Sequence, residues 1–250
     1  MFTSNPFAAL AQSIAPSVLQ AYLALMALAV VAGTLFDVHH KGSGKFFAAR
    51  RREARARAER ELSGAQTLAL AVATVAEAAV SGEFCKWPRR VSHLLMMYGF
   101  LSYLASTLML ICAYPAADPA LWSALWTLGC CMILLGGLWF FFFLRVNVAH
   151  DGASPFHLGY ADLFVGSLLL SVASGLVWHA LQLARGLTLA TWIAFGTYVF
   201  FTTLLFVSVP WSKFAHMFFK PAVAFQRRVE EANGASDLPR PTRDNFIVRS

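Results

Sequence analysis

The sequence predicts an all-α integral membrane protein: five transmembrane helices, N-terminus out and C-terminus in, plus one amphipathic helix on the cytoplasmic face. Three observations carry this. Of 250 residues, 58% are hydrophobic and 13% charged, and the mean hydropathy is +0.59, too apolar and too unevenly patterned for one soluble core. Five apolar runs are long enough to span a bilayer. The basic residues gather in alternate loops, as the positive-inside bias requires.

The first span is read at about 17–36. A secretory signal would have a basic start and a shorter core, whereas Met1 to Gln12 holds no Lys or Arg, so this is an uncleaved helix with its head outside. Lys41, Lys45, Arg50, Arg51, Arg52, Arg55, Arg57 and Arg60 then mark the cytoplasmic side. Residues 66–81 are Ala- and Val-rich but short, and they contain Glu77. Leu68, Val72, Val75 and Ala79 fall on one helical face and Thr74, Glu77 and Ser81 on another, the pattern of a helix lying at an interface or on a partner. Were it a span, Lys86, Arg89 and Arg90 would lie outside, against the charge bias.

The second span is read at 91–114, stopped by Pro115, and a short outer loop with Asp118 and Pro119 leads to the third at 121–144. Arg145 returns the chain to the cytoplasm. Ser154 and Pro155 read as the N-cap and first-turn proline of the fourth helix, which spans 160–183. Arg185 is the one charge in the next outer loop, and the fifth span, 187–209, ends at Pro210. Residues 1–230 thus form the membrane domain and 231–250 a flexible cytoplasmic tail.

A formal net charge of +7 carried by loops fits topology and contact with anionic lipid or an acidic partner. No aromatic-interleaved basic motif points to nucleic acid. Cys85, Cys112, Cys130 and Cys131 show no CxxC or zinc spacing, so the chain is expected to carry no iron–sulfur cluster of its own. The last three fall in apolar runs, where a thiol is a small hydrophobe. No internal repeat and no charge deep in a span suggests a transporter.

The histidines are sorted by depth, because a haem held by two imidazoles needs them at one level on facing helices. His93 and His216 both stand at cytoplasmic helix ends. His39, His40, His150 and His157 lie on the same side, and each can replace one partner or none. His179 lies near the far end of the fourth helix, about 28 Å from Tyr160 at helical rise. Arg89, Arg90 and Lys213 precede His93 and His216 and are placed to neutralise haem propionates at the membrane surface. Basic residues at a cytoplasmic helix end need no haem to explain them, and a lone interfacial histidine is satisfied by water, so spacing alone leaves both readings open.

The two histidine segments read Arg90-Val91-Ser92-His93 and Pro210-Trp211-Ser212-Lys213-Phe214-Ala215-His216. They resemble the membrane cytochrome b subunits of respiratory nitrate reductase, heterodisulfide reductase and the quinone-interacting oxidoreductase complexes, over roughly Pro88 to Arg228. A longer likeness covers DVHHKGSGKFFAARRREARARAERELSGAQ and GEFCKWPRRVSHLLMMYGF. These resemble the five-helix membrane subunit associated with adenylylsulfate reductase in sulfur-oxidising bacteria. The resemblance implies an anchor in the bacterial cytoplasmic membrane that links a cytoplasmic flavin and iron–sulfur reductase to quinone. It also implies one haem b, with His93 and His216 as axial ligands.

Diheme relatives have two further histidines, about three turns into the second helix and near the middle of the fifth. Aligned on His93 and Pro210, these places hold Tyr103 and Tyr198, so a distal haem is not expected. Quinone would then react on the cytoplasmic side. Its candidate residues there are Arg145, Asn147, His150, Asp151, Trp211 and Lys213, since a quinone carbonyl needs a donor and its reduction a proton carrier. Each has a surface reading as well. Two functions therefore stay open: a monohaem electron conduit, itself either non-catalytic or quinone-reacting, and a haemless structural anchor for a similar reductase.

Overall fold

The computed structural model describes residues 3–40, 42–81, 86–145, 162–209 and 216–236, with side chains undescribed at 43 and 216–219. Among them every regular element is helical: α1 (Pro16–His40), α2 (Ser43–Ala56), α3 (Gly64–Ala79), α4 (Trp87–Leu108), α5 (Ala120–Trp139), α6 (Leu163–Arg185), α7 (Leu189–Ser208) and α8 (His216–Asn233). Two helices widen into a π-helical turn at their ends, α4 over Met109–Ala113 and α5 over Phe140–Leu144. Five of these, α1 and α4 to α7, are long and apolar enough to cross a membrane, so this is a multi-pass helical membrane protein.

The span boundaries move from the expected ones by a few residues, each for a local reason. Pro88 sits in the first turn of α4, where a missing N–H costs nothing, so the helix starts at Trp87 and His93 stands nearly two turns inside it. Gly186, at φ +66, ends α6. The Thr188 side chain accepts from the Thr191 N–H and starts α7. Ser154, Pro155 and Tyr160 lie outside the described residues, as does Cys85.

The chain divides into two units, Met1–Asp37 with Val80–Ala215, and Val38–Ala79 with His216–Ser250. In the first, small residues let α4 and α5 approach at backbone distance. A Cβ added at Gly129 would stand 2.8 Å from the Gly99 carbonyl oxygen and the Tyr103 nitrogen, and one at Gly136 would stand 2.8 Å from the Ser92 carbonyl. The Ser92 hydroxyl donates to the Gly136 carbonyl at 2.8 Å and the Ser102 hydroxyl to the Leu125 carbonyl at 3.0 Å. Gly137 seats Leu169 of α6, and Ser171 of α6 meets Thr202 of α7 at 2.7 Å. These hydroxyl contacts join helices whose apolar sides gain nothing by leaving lipid. The first span, α1, is attached more lightly, through Gln20 to the Ile111 carbonyl and Tyr22 to Thr203, and it leaves Leu25, Leu28, Val31 and Leu35 exposed.

The N-terminal segment closes one end of this unit. Asn5 donates from its side chain to the Tyr114 and Ala117 carbonyls and from its backbone to Asp118, while Phe7 packs on Trp126 and Trp178. Asn5 is buried because it satisfies the carbonyls left open where α4 ends.

In the second unit α3 pairs with α8, joined by an ion pair between Glu77 and Arg228. The Asn233 carbonyl accepts from the Glu59 and Arg60 backbone N–H groups, and the Arg60 side chain donates to the Ala232 carbonyl. Ser63 and Gln66 form a reciprocal capping box, which starts α3 at Gly64, two residues before the expected start. Leu68, Val72 and Val75 stay exposed, and Thr74 is buried.

Candidate functional site

His93 is half-buried on α4 and lies one position beyond Ser92, which faces α5; it is therefore turned about 100° away from that seam. Its Nδ1 is 2.8 Å from the Ser81 hydroxyl. Ser81 is 2% exposed and has φ 51, the one described non-glycine residue in the left-handed region. One turn before His93, Arg90 donates from Nε to the Val80 carbonyl at 2.9 Å. Arg89 donates to the Leu144 carbonyl at 3.3 Å, which ties the start of α4 to the end of α5. Each arginine spends one donor in this way out of the five that a guanidinium carries.

A metal-ligating imidazole is held by a hydrogen bond to the ring nitrogen that does not bind the metal. His93 meets that requirement, and Nε2 is the atom it would offer to a haem iron. His216 is the first residue of α8, and its side chain lies outside the described residues. Asn147, His150, Asp151, His157, Trp211 and Lys213 also lie outside them. Arg145 is described: it forms an ion pair with Asp162 and its guanidinium lies 4.4 Å from the Phe141 ring centroid. Asp162, not singled out in the sequence, thus neutralises a cation at the end of α5.

Tyr103 and Tyr198 meet. Both are buried, and their hydroxyls are 2.7 Å apart between α4 and α7. Trp178 stacks on Tyr198 with ring centroids 5.4 Å apart, and Trp126 lies 6.0 Å from Tyr103. Beside the pair is a cavity of about 30 Å³, lined by Tyr22, Thr107, Thr202 and apolar side chains, large enough for one water.

His179 is buried far from His93 along the bundle, with Nε2 at 3.3 Å from the Ser4 hydroxyl and its ring edge-on to Trp126. His39 and His40 close the last turn of α1 and are exposed. Cys130 is buried, in keeping with a small apolar side chain, whereas Cys131 is half-buried and Cys112 exposed.

Set against protein-family models, curated proteins and solved structures, the chain matches none of them.

Proposed function

We propose that this chain is the membrane anchor and b-haem electron-transfer subunit of an oxidoreductase complex in the bacterial cytoplasmic membrane. It links a cytoplasmic flavin and iron–sulfur reductase of the adenylylsulfate reductase type to the quinone pool. The observation that carries the reading is the Tyr103–Tyr198 contact. Ligation of the resembled kind requires α4, which carries His93, to face α7, the helix that leads to His216, and Tyr103 and Tyr198 stand where diheme relatives of the resembled family carry their second histidine pair. The held ring of His93 supports it further.

In this reading His93 and His216 would hold the haem iron, and Arg89, Arg90 and Lys213 would neutralise the haem carboxylates. Bound haem supplies one-electron transfer. Arg145, Asn147, His150, Asp151, Trp211 and Lys213 supply donors to a quinone carbonyl and a proton carrier on the same side. The exposed Leu68, Val72 and Val75 face of α3 rests at the cytoplasmic interface, with anionic lipid near the basic residues of α2.

The topology is N-terminus out and C-terminus in. Labelling of engineered cysteines is expected to find residues 41–60, Cys85 and the chain after Lys220 accessible from the cytoplasm, with positions 118 and 185 accessible from outside. Outside labelling of Cys85 would turn α3 into a sixth span and defeat this arrangement.

With Tyr103 and Tyr198 bonded to each other at the second-ligand positions, electrons and protons both arrive from the cytoplasmic side. Reconstituted with its reductase in sealed vesicles, the complex is expected to reduce quinone without building a membrane potential. A potential that follows turnover and collapses with an uncoupler would reject a cytoplasmic quinone site.

A further inference from the structure

We propose that Ser81 is a positioning residue for His93: its hydroxyl accepts from the His93 Nδ1–H and so fixes Nε2 as the metal-binding nitrogen. The inference rests on the haem reading above, but it is carried by its own geometry. A left-handed backbone favours glycine, or asparagine, because a Cβ crowds the carbonyl. Ser81 adopts that conformation at φ 51 while 2% exposed, and its side chain goes to one partner, the imidazole 2.8 Å away. The position therefore holds a residue that its backbone disfavours and whose hydroxyl is in use.

The peptide before Ser81 is held independently. Arg90 donates to the Val80 carbonyl at 2.9 Å, and Arg90 and His93 are three apart on α4, hence on one face. One helix face thus grips residues 80 and 81 at two points, through a guanidinium and through the ring itself. The grip fixes the ring's rotation as well as its tautomer. An imidazole that rotates freely about its side chain would present Nε2 to iron only part of the time, and one protonated on Nε2 must first move that proton before the nitrogen can bind.

The test uses the full chain in detergent, as wild type, Ser81→Ala and Ser81→Gly. Glycine removes the hydroxyl while accepting the left-handed backbone, so a defect shared by both variants belongs to the hydroxyl and not to strain. Nitrogen NMR of histidine-labelled chain without haem, with His93 assigned by its loss in His93→Gln, is expected to show the proton on Nδ1 in wild type. Both variants are expected to shift it toward Nε2. In haem titrations both variants are expected to bind about 10–100-fold more weakly than wild type, with a displaced midpoint potential. If wild type shows the Nδ1 proton and both variants lose it but no chain binds haem, the positioning stands and the haem reading falls. If haem binds and both variants match wild type in affinity, potential and tautomer, the proposal is overturned. A defect in Ser81→Ala alone overturns it too, because the position then matters for its backbone only. So does a wild-type proton on Nε2.

Discussion

His93→Ala and His216→Ala are each expected to abolish the b haem, which removes the reduced-minus-oxidised absorbance altogether instead of diminishing it. The size of the effect follows from ligation: an iron held between two imidazoles has no protein bond left on the side that is truncated, and alanine offers no substitute. His39→Ala, His40→Ala and His179→Ala are expected to keep the full signal. His39 and His40 are exposed at the end of α1, and His179 is engaged with Ser4 and Trp126 at the other end of the bundle. The measurement is haem per chain by difference spectroscopy on purified variants. Full occupancy in both His93→Ala and His216→Ala would remove the ligand assignment, whatever the other variants show.

The second large effect is on stability. Gly129→Ala is expected to destabilise the first unit by roughly 1–3 kcal/mol, and Gly129→Val by more, because overpacking a close helix contact forces the backbones apart. The added Cβ would meet the backbone of Gly99 and Tyr103 at 2.8 Å, and a backbone, unlike a flexible side chain, yields only by moving the whole of α4 against α5. That movement displaces Tyr103 from Tyr198, so loss of stability and loss of the α4–α7 contact go together. Gly166→Ala and Gly196→Ala serve as controls. A Cβ at either position meets nothing within 4 Å, and inside a helix alanine is favoured over glycine by about 0.5–1 kcal/mol. Unfolding in mixed micelles measures both series. Equal stability of Gly129→Val and wild type would mean that the α4–α5 approach is not as close as described.

The spans were legible because a bilayer demands long apolar runs, and no tertiary contact has to be known to see them. Their ends were less so. Pro88 extends α4 back to Trp87, a first-turn signal readable in the sequence, as was the capping box of Ser63 and Gln66. The helix α2 forms where the charge pattern predicts a basic loop, because its alanines, arginines and glutamate are strong helix formers. At the site, the meeting of Tyr103 and Tyr198 between α4 and α7 agrees with what the family resemblance implies for those two positions, and no spacing in the sequence shows it. Nor does the sequence show the partners of the charged and titratable groups. Ser81 reaches His93 only through a left-handed turn twelve residues upstream, and Asp162 reaches Arg145 across 17 residues of chain. Neither is a periodicity, and a single sequence gives no signal for them.

Two histidines of this chain are proposed to hold one haem. The most direct test is the reduced-minus-oxidised spectrum of the purified chain, taken with a haemochrome assay of haem per polypeptide. A low-spin b-type spectrum and a ratio near one are expected. A purified, folded chain with no haem absorbance, even after incubation with excess haem, would contradict the proposal.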